Sequence, residues 1–139
     1  MKLSLETSSA NIIHSYEAGS VRIQQNSDQS ELNPENRTGQ MELVTLTTNF
    51  IITPELIIKD WLDNEPTIGV EDIERVIATQ AEVILLGTGK SLSFPDSQVL
   101  QVCSQQKIGI EVMDTAAACR TYNILASEYR KVAAALIMI

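Results

Sequence analysis

The hydrophobic positions in the second half of the chain alternate between helical and strand-like spacing. Val70, Ile73 and Val76 recur at the period of an α-helix. Short continuous apolar runs, typical of strands buried on both faces, then alternate with two further helical segments. The elements predicted in order are a helix from about Val70, a strand at Glu82–Leu86, a helix from Pro95-Asp96 to about Lys107, a strand at Ile108–Met113, a helix from Asp114 or Thr115 to about Ser127, and a strand at Lys131–Met138. This order predicts an α/β domain in which the first pair of strands is parallel.

The first half of the chain has the two-residue period of β-strands. Ile12–Gln24 predicts a hairpin in which Gly19 supplies the permissive backbone of the turn. Residues 25–40 are almost wholly polar and predict a loop. Met41–Ile52 predicts either one long strand or two strands separated by a bend. We expect Trp61 to anchor the following segment in the core.

Length and composition indicate a single domain that spans residues 1–139. The chain has 139 residues, of which 44% are hydrophobic and 4% aromatic, so the core should be aliphatic. The predicted architecture is α/β: a single three-layer domain with a mixed, partly parallel central sheet flanked by helices, plus a small N-terminal β-hairpin layer.

Charge and hydropathy exclude several classes of partner. The net charge is −8 and the basic residues are scattered, which argues against binding to nucleic acid. The N-terminal residues lack the apolar core of a signal peptide, and no apolar run is long enough to cross a bilayer. We therefore expect a soluble, cytoplasmic protein that does not insert into membranes.

The sequence GTGKS at Gly87–Ser91 is similar to the end of a phosphate-binding P-loop. A P-loop also needs a glycine five residues before Gly89, where this chain has Ile84. Leu92–Pro95 further separates the motif from the next predicted helix. Without the complete glycine loop and the adjoining helix, no phosphate cradle is built. We expect the two glycines to let the chain turn off the end of the strand.

Two loops are expected to meet at the carboxyl ends of the parallel strands, where α/β sheets tend to bind ligands. Thr88 follows one strand and Asp114 the next, so they converge if these strands are neighbours. A cap of the third helix is the alternative role for Asp114, and a structural salt bridge is the alternative for Arg120. The candidate ligand or interaction surface comprises Gly87, Thr88, Gly89, Asp114, Thr115, Arg120, Tyr122 and Asn123.

Candidate catalytic groups are sparse in this surface. The sequence places no second carboxylate, histidine or thiol in this surface. Neither an acid–base pair nor a metal site therefore has the side chains that it needs. Cys103 and Cys119 have no CxxC spacing and are expected to be reduced thiols. Cys119 lies among alanines, which favours a small buried side chain over a nucleophile paired with His14. We predict no cofactor and no metal, and a non-enzymatic role is favoured.

Three segments carry a resemblance to a known family. LLGTGKSLSFP at Leu85–Pro95, IGIEVMDTAAACRTYNIL at Ile108–Leu125 and the terminal KVAAALI resemble the domain-of-unknown-function family 498. The resemblance extends over Ile51–Ile137 and is weaker over the N-terminal hairpin. It implies a single α/β domain with a smaller β layer and no established activity or cofactor. Tyr129 departs from the family, in which a glycine is common at that position.

The resemblance also bears on function. The family includes mitochondrial assembly factors for respiratory complex I, which implies protein partners. Its bacterial members are often encoded near protein-translocation components, which implies partners near membrane complexes without membrane insertion. The favoured hypothesis is a protein-interaction module or assembly factor, either a monomer or a homodimer. The alternatives are a binder of a small ligand or anion at Gly87–Lys90 and Asp114–Arg120, or an enzyme that uses Cys119 or Asp114.

Overall fold

The structure is a computed structural model that describes residues 10–25, 43–62 and 67–138. The loop predicted at residues 25–40 lies outside the described residues, apart from Gln25. In the described ranges the elements are β1 (Ile12–Glu17), β2 (Ser20–Gln24), β3 (Leu43–Leu46), β4 (Phe50–Ile52), β5 (Ile57–Lys59), α1 (Val70–Ile77), β6 (Val83–Gly87), α2 (Ser97–Gln105), β7 (Gly109–Met113), α3 (Thr115–Ser127) and β8 (Val132–Leu136). The elements predicted for the second half are therefore confirmed, with ends that shift by a few residues.

The strands form two sheets. An antiparallel three-stranded sheet has the order β1-β2-β3, and a mixed five-stranded sheet has the order β5-β4-β8-β6-β7. Strands β8, β6 and β7 are parallel, whereas β4 is antiparallel to both β5 and β8. The mixed, partly parallel sheet with a smaller β layer is thus confirmed.

The predicted strand at Met41–Ile52 is two strands in different sheets. After β3 a bend near Thr48 moves the chain from the small sheet to the large one, where β4 begins. The small layer therefore consists of the predicted hairpin together with β3, which pairs with β2. The alternative of two strands separated by a bend is the correct one.

Each face of the large sheet contributes to its own hydrophobic core. Leu85 in β6 and Ala134 in β8 belong to the cluster that joins the large sheet to α3 and the small sheet. Ile84, Leu86 and the neighbouring alanines of β8 belong to the cluster under α1 and α2. Successive residues of a strand point to opposite faces, so a strand buried on both faces must be apolar throughout. Small alanines in β8 let both helical layers pack closely against the sheet.

Trp61 anchors the segment between β5 and α1, as predicted. Its side chain is fully buried in the cluster under α1 and α2. The indole Nε1–H donates a hydrogen bond to the carbonyl oxygen of Asp72, at 3.0 Å, in the first turn of α1. The buried indole N–H thus has a hydrogen-bond acceptor, as the N–H of a buried tryptophan usually does. The residues just before Trp61 form β5, an edge strand that the sequence pattern did not predict.

Tyr129 ends α3 in the left-handed conformation, with a φ of 61°. Its N–H donates to the carbonyl oxygen of Ala126 at 3.1 Å, and the N–H of Arg130 donates to that of Leu125 at 3.0 Å. This pair of hydrogen bonds defines a Schellman motif, in which glycine is the usual left-handed residue. A glycine at this position, as the resemblance noted above implies, would therefore have a direct conformational reason.

We expect Tyr129→Gly to raise the free energy of unfolding by about 0.5–1 kcal/mol. Glycine avoids the steric cost of the left-handed conformation, and its greater entropy in the unfolded chain offsets only part of that gain. Tyr129 is 56% exposed, so little burial is lost. Chemical denaturation measures the change, and Tyr129→Ala is the control because it removes the ring but keeps the Cβ atom. Equal stabilities of the two variants would contradict the conformational explanation.

Candidate functional site

The two predicted loops meet at the carboxyl ends of β6 and β7. These strands are parallel neighbours, and Gly87 at the end of β6 pairs with Met113 at the end of β7. The N–H of Thr88 donates a hydrogen bond to the carbonyl oxygen of Met113, at 2.9 Å. The predicted convergence of Thr88 and Asp114 depended on these strands being adjacent, and that adjacency is confirmed.

Thr115 is the central residue of this junction. Its side-chain hydroxyl donates to the carbonyl oxygen of Ile137 at 2.7 Å and accepts from the N–H of Gly89 at 2.8 Å. Its own N–H donates to the carbonyl oxygen of Gly89 at 2.9 Å. Thr115 is fully buried, so these bonds form in a setting of low dielectric constant and compete little with water. One side chain therefore joins the start of α3 to the segments that follow β6 and β8.

The two glycines of this junction serve different purposes. Gly89 has a φ of 98°, which L side chains rarely adopt, so it allows the turn that the sequence predicts. Gly87 instead provides space. A Cβ atom at Gly87 would lie 3.0 Å from both Cα and Oγ1 of Thr115, and 2.9 Å from Cδ2 of Leu136. The absence of a side chain at Gly87 thus permits the close approach of α3 to β6.

Thr88 holds the loop that follows β6. Its hydroxyl donates to the carbonyl oxygen of Ser91 at 2.7 Å and accepts from the N–H of Ser93 at 3.0 Å. Both partners lie in the exposed segment between β6 and α2. This segment is therefore a hydrogen-bonded turn, fixed to the end of the sheet through Thr88.

Asp114 is the N-cap of α3, which is one of the two roles predicted for it. Its carboxylate Oδ1 accepts from the N–H of Ala117 at 2.8 Å, and its backbone oxygen accepts from the N–H of Ala118 at 3.0 Å. The N–H of Thr115 is bound to Gly89, as described above. The terminal N–H groups of Thr115 and Ala117, which an anion could otherwise bind, therefore have partners within the chain.

The remaining predicted residues point in different directions around α3. Tyr122 is fully buried, and its hydroxyl donates to the carbonyl oxygen of Asn11 at 2.8 Å. The carboxamide of Asn123 accepts from the N–H of Ile13 at 2.9 Å and donates to its carbonyl oxygen at 2.7 Å. Arg120 is exposed. The structure thus brings Gly87–Gly89, Asp114 and Thr115 together, whereas Tyr122 and Asn123 bind the N-terminal segment.

Cys119 is a buried thiol in the core between α3 and the sheets. It is 4% exposed, and burial raises its pKa from the ordinary 9.0 to about 12. Burial, with smaller effects from Cys119 and Asp114, also raises the pKa of the nearby Tyr16 hydroxyl. A thiol with this pKa is protonated at neutral pH, whereas nucleophilic cysteines are thiolates. The interpretation of Cys119 as a small core residue is therefore confirmed.

Two residues of interest escaped the sequence analysis. Leu92 is 52% exposed and Phe94 is 69% exposed in the hydrogen-bonded turn between β6 and α2. They lie on either side of Ser93, whose N–H is bound by Thr88. In sequence terms SLSFP marks the start of the next helix and belongs to a segment that resembles the family, and neither property indicates exposure. The available signal was a pair of large apolar residues in an otherwise polar loop.

In the part of the chain that the structure describes, no group of three or more His, Cys, Asp or Glu side chains is arranged to hold a metal ion. Among the same residues, no helix combines the length and the hydropathy that crossing a bilayer requires.

We expect Thr115→Val to lower the free energy of unfolding by about 2–4 kcal/mol, because valine leaves the buried N–H of Gly89 without its acceptor. Thr115→Ser is the matched control, since it keeps the hydroxyl and removes only a methyl group, at a cost of about 1 kcal/mol. Urea denaturation of the three proteins measures the difference. Equal losses for both variants would show that the methyl group, and not the hydroxyl, stabilises the junction.

We expect Cys119 to resist thiol reagents in the folded protein. At pH 8 its labelling should be at least about 100-fold slower than in the urea-unfolded chain, because burial raises its pKa and blocks access. A Cys103→Ala background isolates the signal, which mass spectrometry follows. Since the folded pKa is raised, this thiol's contribution to stability is present below about pH 9 and is lost as the pH rises toward 12. Rapid labelling of the native protein at pH 8 would contradict the burial.

Comparisons with known proteins agree with this description. A family model described as "Protein of unknown function (DUF498/DUF598)" matches residues 13–137. The "NADH dehydrogenase (ubiquinone) 1 alpha subcomplex assembly factor 3" of Danio rerio is 36% identical over 88 residues, which are 62% of this chain and 51% of the relative. The "13 kDa major membrane protein" of Francisella tularensis subsp. holarctica is 29% identical over 85 residues, which are 61% of this chain and 69% of the relative.

A solved structure shares the fold. The crystal structure of a Bordetella parapertussis protein superposes with a TM-score of 0.75 at 25% identity, covering 94% of this chain and 98% of that one. The chain spans about half the length of the vertebrate assembly factors that it matches. The resemblance carried by the segments at Leu85–Pro95 and Ile108–Leu125 is confirmed. Because the family model matches nearly the whole sequence, the chain belongs to the family of proteins of unknown function DUF498/DUF598.

Proposed function

We propose that the chain is a protein-interaction module with an assembly-factor-like role, and that it contacts its partner through the loop Ser91–Pro95. We call this segment the apolar loop. The observation that carries the proposal is the exposure of Leu92 and Phe94 on a backbone that Thr88 holds in place. Exposed apolar side chains held by an ordered turn are typical of interaction sites, where aromatic residues are enriched.

The energetics of the apolar loop favour a partner with an apolar pocket. Full burial of a leucine or phenylalanine side chain stabilises a complex by about 1.5–3 kcal/mol relative to full exposure. Leu92 and Phe94 are 52% and 69% exposed, so each can contribute roughly half of that range or slightly more. The hydrogen bonds of Thr88 already order the loop, so binding loses less conformational entropy than docking of a flexible segment would.

The relatives support the same class of function. The vertebrate relatives are assembly factors of NADH dehydrogenase by name, and the Francisella relative is a major membrane protein by name. From these we infer a protein partner, in the neighbourhood of membrane complexes. The proposal concerns the shared domain alone, because the match covers about half of the vertebrate proteins. A cytoplasmic location stays a prediction.

The alternative of a small-ligand or anion site at Gly87–Lys90 and Asp114–Arg120 has less support. The Thr115 hydroxyl, the Thr88 hydroxyl and Oδ1 of Asp114 all bind groups of the chain itself. A ligand would have to displace these hydrogen bonds, and most of the displaced groups are buried or part-buried. An enzyme that uses Cys119 has the least support, because its thiol is protonated and buried.

We expect the double substitution Leu92→Ser and Phe94→Ser to reduce recovery of the native partner at least about tenfold when the tagged protein is captured from its own cells. The loss follows from the apolar contact area removed from the interface. The matched control is Leu56→Ser, which replaces a side chain of similar exposure, 50%, next to β5 on the opposite edge of the sheet. Melting temperatures of all variants should stay within a few degrees of the parent.

Two results would contradict the proposal. Equal recovery by the double variant and by Leu56→Ser would exclude the apolar loop as the contact surface. A metabolite that raises the melting temperature of the parent, but not that of Arg120→Ala, would favour the ligand-binding alternative. Arg120 suits this comparison because it is exposed, so its removal leaves the core unchanged.

A further inference from the structure

Strand β7 is an open edge of the five-stranded sheet. Among the described residues its partner in the sheet is β6 on one side, and it ends the strand order on the other. Gly109 and Glu111 are exposed, and the other three residues of β7 are partly exposed. By contrast, every residue of the central strand β8 is buried. An edge of this kind offers backbone groups that another strand can pair with.

The backbone groups that β7 presents outward belong to Ile110 and Val112. The N–H of Gly109 donates to the carbonyl oxygen of Glu82 at 3.1 Å, on the β6 side, and the carbonyl oxygen of Met113 accepts from Thr88 on that same side. The N–H and C=O of one residue point to the same side of a strand, and alternate residues point to opposite sides. Ile110 and Val112 therefore direct both their N–H and C=O groups away from β6.

Strands β1 and β5, which are also sheet edges, are protected in ways that β7 is not. At the edge of the small sheet, the Asn123 carboxamide binds both backbone groups of Ile13, so this stretch of β1 is already paired. Strand β5, the opposite edge of the large sheet, has three residues and ends at the exposed Lys59. Short edge strands and terminal lysines are known means of preventing strand addition. Strand β7 has five residues and presents two pairs of outward groups.

The side chains of β7 differ between its two faces. Ile110 and Val112 belong to the apolar cluster under α1 and α2. Glu111 projects to the opposite face of the sheet and is exposed. A strand that pairs with β7 would therefore place alternate side chains beside an apolar face and beside a carboxylate. Cross-strand pairs of opposite charge and of apolar residues stabilise such an addition.

We propose that β7 accepts, by strand addition, an extended segment of a partner protein in which basic and apolar residues alternate. The basic residues would lie on the face of Glu111, and the apolar residues on the face of Ile110 and Val112. The inference rests on the proposed function, since it specifies the partner of an interaction module. It also places strand addition next to the apolar loop, because Thr88 binds both Met113 at the end of β7 and Ser91 in that loop.

Charge favours such a partner over a second copy of this chain. Each copy carries a net charge of −8, so two copies repel one another. A two-fold axis through Glu111 would also place two carboxylates directly opposite each other, which destabilises strand pairing. A basic segment reverses both effects. The exposed Lys107 precedes β7 and stands outside the paired residues, so it does not neutralise the Glu111 face.

The test uses a blocked six-residue peptide of alternating lysine and valine, titrated into the full chain at low salt. Backbone amide exchange, followed by NMR, should show at least tenfold slower exchange at Ile110 and Val112 when the peptide is bound. A matched peptide of alternating glutamate and valine should bind at least tenfold more weakly. The substitution Glu111→Lys should reverse this preference, because it changes the charge on the exposed face without altering the backbone.

A second pair of probes separates strand addition from non-specific attraction. Val112→Pro removes an outward N–H while keeping the pairing of β7 with β6, so it should abolish binding. If that variant fails to fold, N-methylation of the central lysine–valine peptide bonds removes the complementary donors from the peptide and leaves the protein unchanged. Equal binding of the methylated and unmethylated peptides would overturn the proposal.

Other outcomes also decide the question. Unchanged exchange at Ile110 and Val112, or equal affinity for the two charge patterns, would overturn it. Concentration-dependent protection of the same amides without peptide would identify a second copy as the occupant and would equally overturn it. The capture experiment with the apolar-loop variants is independent of these results. Recovery of the native partner could depend on Leu92 and Phe94 and yet be unchanged by Glu111→Lys. That result would support the proposed function and would exclude the edge strand as a contact surface.

Discussion

The hydroxyl of Thr115 connects three parts of the chain that lie far apart in sequence. It binds the carbonyl oxygen of Ile137 after β8 and the N–H of Gly89 after β6, while Thr115 itself begins α3. This contact is possible only because Gly87 lacks a Cβ atom, which would meet Thr115 at 3.0 Å. The position of α3 on the sheet depends on that approach, and with it the core shared with the small sheet. Removing one buried donor or acceptor would leave the others unpaired, which costs more than the bond itself contributes.

From this junction α3 holds the two sheets together. One face of the helix packs small and apolar side chains on the large sheet, and further along Tyr122 and Asn123 bind the backbone at Asn11 and Ile13. Polar side chains that looked like a ligand site thus connect the N-terminal layer to the rest of the fold. The Asn123 carboxamide imitates the N–H and C=O of a neighbouring strand, so it satisfies the edge of β1 and closes it to other chains.

The two features proposed for partner binding lie outside these internal bonds. The apolar loop and the edge strand β7 are both attached to Thr88, which binds Met113 on one side and Ser91 on the other. A partner that pairs with β7 would therefore lie near Leu92 and Phe94, and two weak contacts could act together. Both features suit recognition of a protein, through apolar burial in one case and backbone pairing in the other.

The sequence by itself determined the order of elements in the second half, because continuous apolar strands and helical spacing are local patterns. It also narrowed the cap of α3 to Asp114 or Thr115, since both residue types can accept from the first turn of a helix. The structure places the cap at Asp114. Only the tertiary structure decided that Thr115 faces inward and that Tyr122 and Asn123 bind the backbone next to and within the small sheet. Neighbouring residues of a helix point in different directions around its axis, so the sequence alone does not show which of them faces which layer. The tertiary structure likewise decided which strands are edges. Edge position depends on strand order, which arises from contacts between distant residues, and no local pattern encodes that order.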